Sequence, residues 1–157
     1  MTNRSCESCT ACCEGWLASK IIDMEPGKPC VHCTQAGCAI YESRPAEPCK
    51  SYKCAWLIDD SPLPDHMRPN ECGAIVGLDT KWKGKRLVMA TPTGEKIPQP
   101  TLDWLMAYSR EHSIPLLLKE NLLKDGRYIG YKKIGYGPPW FIHAVEHELV
   151  PDDVTMF

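Results

Sequence analysis

The sequence predicts an α+β protein, with an irregular, cysteine-rich N-terminal lobe packed on a small mixed sheet with one or two helices. Three observations carry that prediction. Nine of the ten cysteines fall between Cys6 and Cys54. After residue 73, apolar runs of strand length alternate with turn signals. One longer segment, behind Pro98 and Pro100, has the spacing of an amphipathic helix. The chain has 157 residues, 43% hydrophobic and 24% charged, which is a globular composition at the length of one domain. Residues 1–60 are read as the cysteine segment, 61–72 as a connector and 73–157 as a small α+β region forming one compact unit with the first.

Along the chain, Trp16–Ile22 predicts a short strand between the first cysteines and Cys30. Turns are expected at Glu25–Pro29 and at Gln35–Gly37. Glu47–Ile58 predicts a helix with Pro48 in its first turn, where a missing N–H costs little. Ser61–Asn70 is polar and proline-rich, a connection rather than an element. Ala74–Leu78 and Arg86–Ala90 read as strands of a hairpin closed through Lys81–Gly84. Thr101 is placed as N-cap of a helix to His112. Pro115–Lys119 and Arg127–Ile134 are strands, and Trp140–Glu148 fits a helix or a last strand.

A net charge of −2 supplies no basic surplus for phosphates, so nucleic acid is not an expected partner. No run approaches the roughly 20 apolar residues of a spanning helix, so no membrane role is expected. The N-terminus lacks an apolar stretch of signal-peptide type, which predicts a cytoplasmic protein. In a reducing compartment clustered cysteines favour metal over disulfides; an extracellular disulfide knob is the rival reading.

The cysteines run Cys6-x2-Cys9-x2-Cys12-Cys13, then Cys30-x2-Cys33-x4-Cys38, Cys49 and Cys54. A Cys-x2-Cys pair brings two sulfurs to one ion, and two pairs complete a tetrahedral site. Adjacent Cys12 and Cys13 point apart, which suits two ions, or one ion and a free thiol. Nine cysteines allow two tetrathiolate sites with one thiol left over, or a three-metal cluster with shared sulfurs. The expected metal residues are Cys6, Cys9, Cys12, Cys13, Cys30, Cys33, Cys38, Cys49 and Cys54, and spacing alone does not say which would be left over. The expected cofactor is zinc, two to three ions. The alternative is iron or an iron–sulfur cluster, because Cys6, Cys9 and Cys12 have the first part of a ferredoxin spacing. Thiolates alone do not choose among zinc, iron and Cu(I).

These residues, with Ile40-Tyr41-Glu42-x-Arg44-Pro45 between Cys38 and Cys49, resemble the CxxCxxCC cysteine-cluster family. The resemblance covers residues 6–57, and the Ile-Tyr-Glu-x-Arg-Pro element makes it more specific than cysteine spacing alone. It implies a zinc- or iron-chelating domain; flagellin lysine methylases carry a similar cluster. Cys33 stands where the family pattern is usually apolar, and Cys72 lies outside it. Arg44 and Tyr41 also have a physical reading: Arg44 would offset cluster charge and reach Glu42, and Tyr41 would wall the site. A loop clasp without an electrostatic role is the plainer account.

His143, Glu146 and His147 have the H-x-x-E-H spacing of inverted zinc proteases. Little chain follows to supply a third ligand, which favours a surface or packing role. Cys72 before Gly73 reads as a buried small residue. His32 lies between two cysteines, and His66 and His112 have no partner at useful spacing. Lys81–Arg86 reads as a solvated hairpin tip. Gly135–Trp140 is an aromatic loop, and Tyr136 and Trp140 are the expected surface for a protein partner, against core packing as the alternative. The sequence as a whole points to a zinc-chelating structural or interaction module. The alternative is a redox or enzymatic iron protein, and catalysis is left open.

Overall fold

The computed structural model describes residues 3–6 and 8–151. It is an α+β structure in which the cysteine lobe precedes a four-stranded sheet.

The lobe is built from turns. Cys12–Trp16 makes one helical turn in which Gly15 has φ of 96°. A Cβ at Gly15 would collide with the carbonyl of Glu25, so only glycine lets these two segments touch. The chain then doubles back through the bridges Ser19↔Met24 and Glu25↔Lys28. The strand expected at Trp16–Ile22 is therefore absent: the reversal uses the residues an extended run would need. β1 (Cys33–Thr34) and β2 (Gly37–Cys38) form a two-stranded ribbon that pairs Cys33 with Cys38. The Thr34 hydroxyl fixes its turn, donating to the Gly37 carbonyl at 2.6 Å and accepting from the Ala36 N–H at 3.2 Å.

The helix expected over Glu47–Ile58 is a single turn at Ala46–Lys50. Glu47 is extended there (φ −112°, ψ 130°), because proline disfavours helical backbone in the residue before it. Within the connector lie a 3-10 turn at Asp65–Met67 and α1 (Pro69–Cys72), which ends on left-handed Gly73.

β3 (Ala74–Trp82) and β4 (Lys85–Pro92) form the expected hairpin, closed by Lys83 and Gly84 at φ of 50° and 74°. Positive φ at both turn residues matches the right-handed twist of the strands. α2 (Gln99–His112) crosses over to β5 (Leu116–Lys124), which runs parallel to β4. Thr101 is not the N-cap. Proline starts the helix, and the buried Thr101 hydroxyl donates to the Cys72 carbonyl at 2.7 Å, tying α2 to α1. β6 (Arg127–Tyr136) returns antiparallel, and α3 (Pro139–Glu146) settles the last segment as a helix.

The sheet order is β3-β4-β5-β6. The two central strands are covered on both faces, which explains their unbroken apolar runs. Val88, Ala90, Leu116 and Leu118 face α2 and the cysteine lobe, sharing one core with Ala11, Leu17, Ala55 and Trp56. Leu87 and Leu117, one residue out of phase, pack with Phe141, Ala144 and Val145 of α3. A Cβ at Gly135 would stand 2.9 Å from Val145, so glycine admits α3 close to β6. The Ala55 N–H donates to the Val76 carbonyl at 2.7 Å, stitching the lobe to β3. Among the described residues, no helix is long and apolar enough to cross a membrane.

Candidate functional site

Eight cysteines line one cavity of about 330 Å³: Cys6, Cys9, Cys12, Cys13, Cys30, Cys38, Cys49 and Cys54. All ten cysteines are free thiols. The remaining wall is largely apolar, from Ile22, Met24, Val31, Ile40 and Leu57, with His32, Tyr41, Arg44 and Tyr52 as its polar members. The folding of the lobe explains this convergence. The Cys13 carbonyl accepts from the Cys30 N–H at 2.8 Å, joining the first cysteine run to the second. The β1–β2 ribbon then brings Cys38 back beside them.

Within the cavity, burial and the neighbouring thiols raise several of the cysteines. Burial pushes the Cys12 thiol well above its usual value, and the nearby charges of Cys54, Cys9, Cys13 and Cys6 add to it. Cys54 is raised by burial and again by Cys9 and Cys6, while the N–H groups of Leu57 and Trp56 oppose the rise. Cys49 is raised by burial, then by Cys30 and Cys38, and Arg44 pulls it back down. Cys13 is raised by burial, then by its hydrogen bond to Cys33 and the charges of Cys33, Cys38 and Cys30. Cys12 thus feels Cys54, Cys9, Cys13 and Cys6, while Cys13 and Cys49 each feel Cys30 and Cys38.

Tyr41 and Arg44 stand in the same wall. The Tyr41 hydroxyl is 3.3 Å from the Cys6 sulfur, and this contact, ahead of burial, raises the phenol. The Arg44 guanidinium lies 3.9 Å from the centre of the Tyr41 ring and donates to the Tyr41 carbonyl. Its charge lowers Cys49, the last of the influences on that thiol, and the expected reach to Glu42 is not among the described ion pairs. Tyr52, missed in the sequence, is half-buried in the wall, and its phenol is pushed up by desolvation, then by Cys12 and Cys54. A second unforeseen feature is a clasp at the lobe's start. Arg4 pairs with Asp65 at 2.7 Å and lies 4.7 Å from the Trp56 ring centre, with Arg68 at 5.5 Å from that ring.

Other candidates lie elsewhere. Cys33 is not part of the cavity wall; its sulfur is 3.0 Å from that of Cys13. Cys72 is buried and its thiol donates to the Met67 and Ala74 carbonyls, both at 3.3 Å. His143 and His147 stack at 3.9 Å on α3, and His147 Nδ1 is 2.9 Å from the His143 carbonyl, away from the thiols. Trp140 is 43% exposed, with Lys85 Nζ 4.2 Å from a ring centre, whereas Tyr136 packs against the main core.

As the side chains stand, no three described His, Cys, Asp or Glu groups converge tightly enough to hold an ion. The donor set is nonetheless soft: eight thiols and the His32 imidazole, with no carboxylate in the described wall, suit a thiophilic ion and not a hard, oxygen-seeking one. No family model, curated protein or solved structure matches the chain.

Proposed function

We propose that this protein chelates zinc through two four-thiolate sites, Cys6/Cys9/Cys12/Cys54 and Cys13/Cys30/Cys38/Cys49, and works as a metal-stabilised interaction module. The observation that carries this reading is the gathering of eight thiols around one cavity. Free thiols so close together, in a chain with ten cysteines, favour a reducing cytoplasmic setting and metal ligation over disulfides. The lobe has little regular structure of its own, and structural zinc supplies on the order of 10 kcal/mol to small domains of this kind. Each tetrathiolate site would carry a charge of −2, which Arg44, the Tyr41 hydroxyl and the Leu57 and Trp56 N–H groups are placed to offset. The Ile40–Pro45 element supplies Tyr41 and Arg44, which supports the resemblance to the CxxCxxCC family. In this reading the C-terminal region, with exposed Trp140 on α3, is the partner-facing part.

One observation favours a second reading. Cys6, Cys9 and Cys12, with Cys54 as the remote member, share the ferredoxin arrangement of three close ligands and one distant. An iron–sulfur cluster in that set would make this a redox or cluster-dependent protein. Metal content and visible absorption of protein purified without oxygen separate the two. Zinc without colour supports the first, and iron with acid-labile sulfide and a charge-transfer band supports the second.

A further inference from the structure

We infer that Cys33 and Cys13 form a peroxide-sensitive thiol pair, a redox-modification site that removes one ligand from the second thiolate set when it closes. The release step rests on the two-site reading above; the pair itself does not.

The geometry sets this pair apart from the ligand pairs. Two thiolates on one tetrahedral zinc, each at about 2.3 Å from the ion, stand about 3.8 Å apart. The Cys13 and Cys33 sulfurs are 3.0 Å apart, nearer than co-ligands and part of the way to a bonded pair. Backbone contacts enforce the approach. The Cys13 carbonyl accepts from the Cys30 N–H at 2.8 Å, and the Cys33 N–H donates to the Cys30 carbonyl at 3.0 Å. Cys33 is thus held one turn beyond Cys30, outside the cavity wall, on a short ribbon with part of its surface open to solvent. A ninth thiol that does not line the cavity but touches a thiol that does is a built competitor for Cys13.

The oxidant is hydrogen peroxide. The Cys33 sulfur, as thiolate, attacks one peroxide oxygen; the O–O bond breaks, and the departing hydroxide takes a proton and leaves as water. Cys33 is then a sulfenic acid. The Cys13 sulfur attacks it, the S–S bond forms, the S–O bond breaks, and a second water leaves. Two thiols and one peroxide become one disulfide and two waters. Where Cys13 begins as a metal-bound thiolate, one proton from solvent completes the second water. An ion held there would be left with three thiolates and would be released.

The test treats the metal-loaded full chain with one equivalent of hydrogen peroxide, blocks remaining thiols with iodoacetamide, maps linked peptides and measures retained metal. The expected result is a Cys13–Cys33 linkage with loss of about half the bound metal, reversed by dithiothreitol and renewed zinc. Cys33→Ser, at a partly exposed site, should load metal fully and keep at least tenfold more of the labile ion under the same dose. Linkage of Cys33 to Cys38, or equal metal release from wild type and Cys33→Ser, overturns the pair. Failure of Cys33→Ser to load the second site also overturns it, by making Cys33 a ligand. A chain that forms the Cys13–Cys33 bond but never holds metal overturns the two-site reading and the release step, while the pair stands.

Discussion

The hydroxyl of Tyr41 lies 3.3 Å from the sulfur of Cys6. With Cys6 as a thiolate the hydroxyl would donate to it, and in the proposed site that contact would adjust the ligand's charge and orientation from behind. Arg44, stacked on the same ring, acts on Cys49 of the other set.

Removing only that hydroxyl, by Tyr41→Phe, should keep the wall and lose the contact. Outer contacts of this kind are worth about 10- to 100-fold in metal affinity. Competition against a chromophoric chelator measures it. Unchanged affinity would reduce Tyr41 to packing.

The two-set arrangement predicts separable metal loss. Cys54→Ser and Cys49→Ser should each lose about one ion and retain the other, as a tetrahedral site stripped of one thiolate fails on its own. Cys72→Ala, whose thiol is spent on two backbone carbonyls, should retain both. Loss of all metal from either single change would show one shared cluster instead.

Metal removal should be felt in the sheet through one bond. Cys54 precedes Ala55, whose N–H donates to the Val76 carbonyl at 2.7 Å. Chelation should therefore speed hydrogen exchange at the Ala55 amide about tenfold or more, with buried Leu117 on the central strand protected as before. Equal exchange at Ala55 with and without metal would uncouple the lobe from the sheet.

Two glycines separate backbone strain from close contact. Gly27 has φ of 86° with nothing within 4 Å of where a methyl would sit, so Gly27→Ala should cost about 1–2 kcal/mol. Gly15 combines φ of 96° with the Glu25 carbonyl in the way, so Gly15→Ala should cost about 2–4 kcal/mol. Denaturant unfolding of the metal-loaded proteins gives both values.

The second half of the chain is the more legible in sequence. Strands β4 and β5 announce themselves as apolar runs, because both of their faces are covered. The Lys83–Gly84 turn is readable from its position between β3 and β4. The lobe is legible as chemistry but not as conformation. Cysteine spacing marks nine thiols, Cys33 among them, and only the family resemblance sets Cys33 apart from the eight that share a cavity, yet Trp16–Ile22 and Glu47–Ile58 have the pattern of regular elements and are turns. There the chain follows local demands, the left-handed Gly15 and the extended residue before Pro48, which periodicity does not report. Thr101 misleads as a cap because its hydroxyl serves a tertiary contact with Cys72, and Tyr52 escapes notice because a lone tyrosine carries no spacing signal. The proposed division of the thiols into two sets draws on their neighbours in space, and sequence order alone leaves it open.

Metal chelation by the gathered thiols is tested most directly by elemental analysis of protein purified without oxygen. About two zinc ions per chain, held by sulfur alone, are the expected result. Thiophilic metal at no more than trace level, in protein whose eight cavity cysteines are all reduced and titratable, would contradict it.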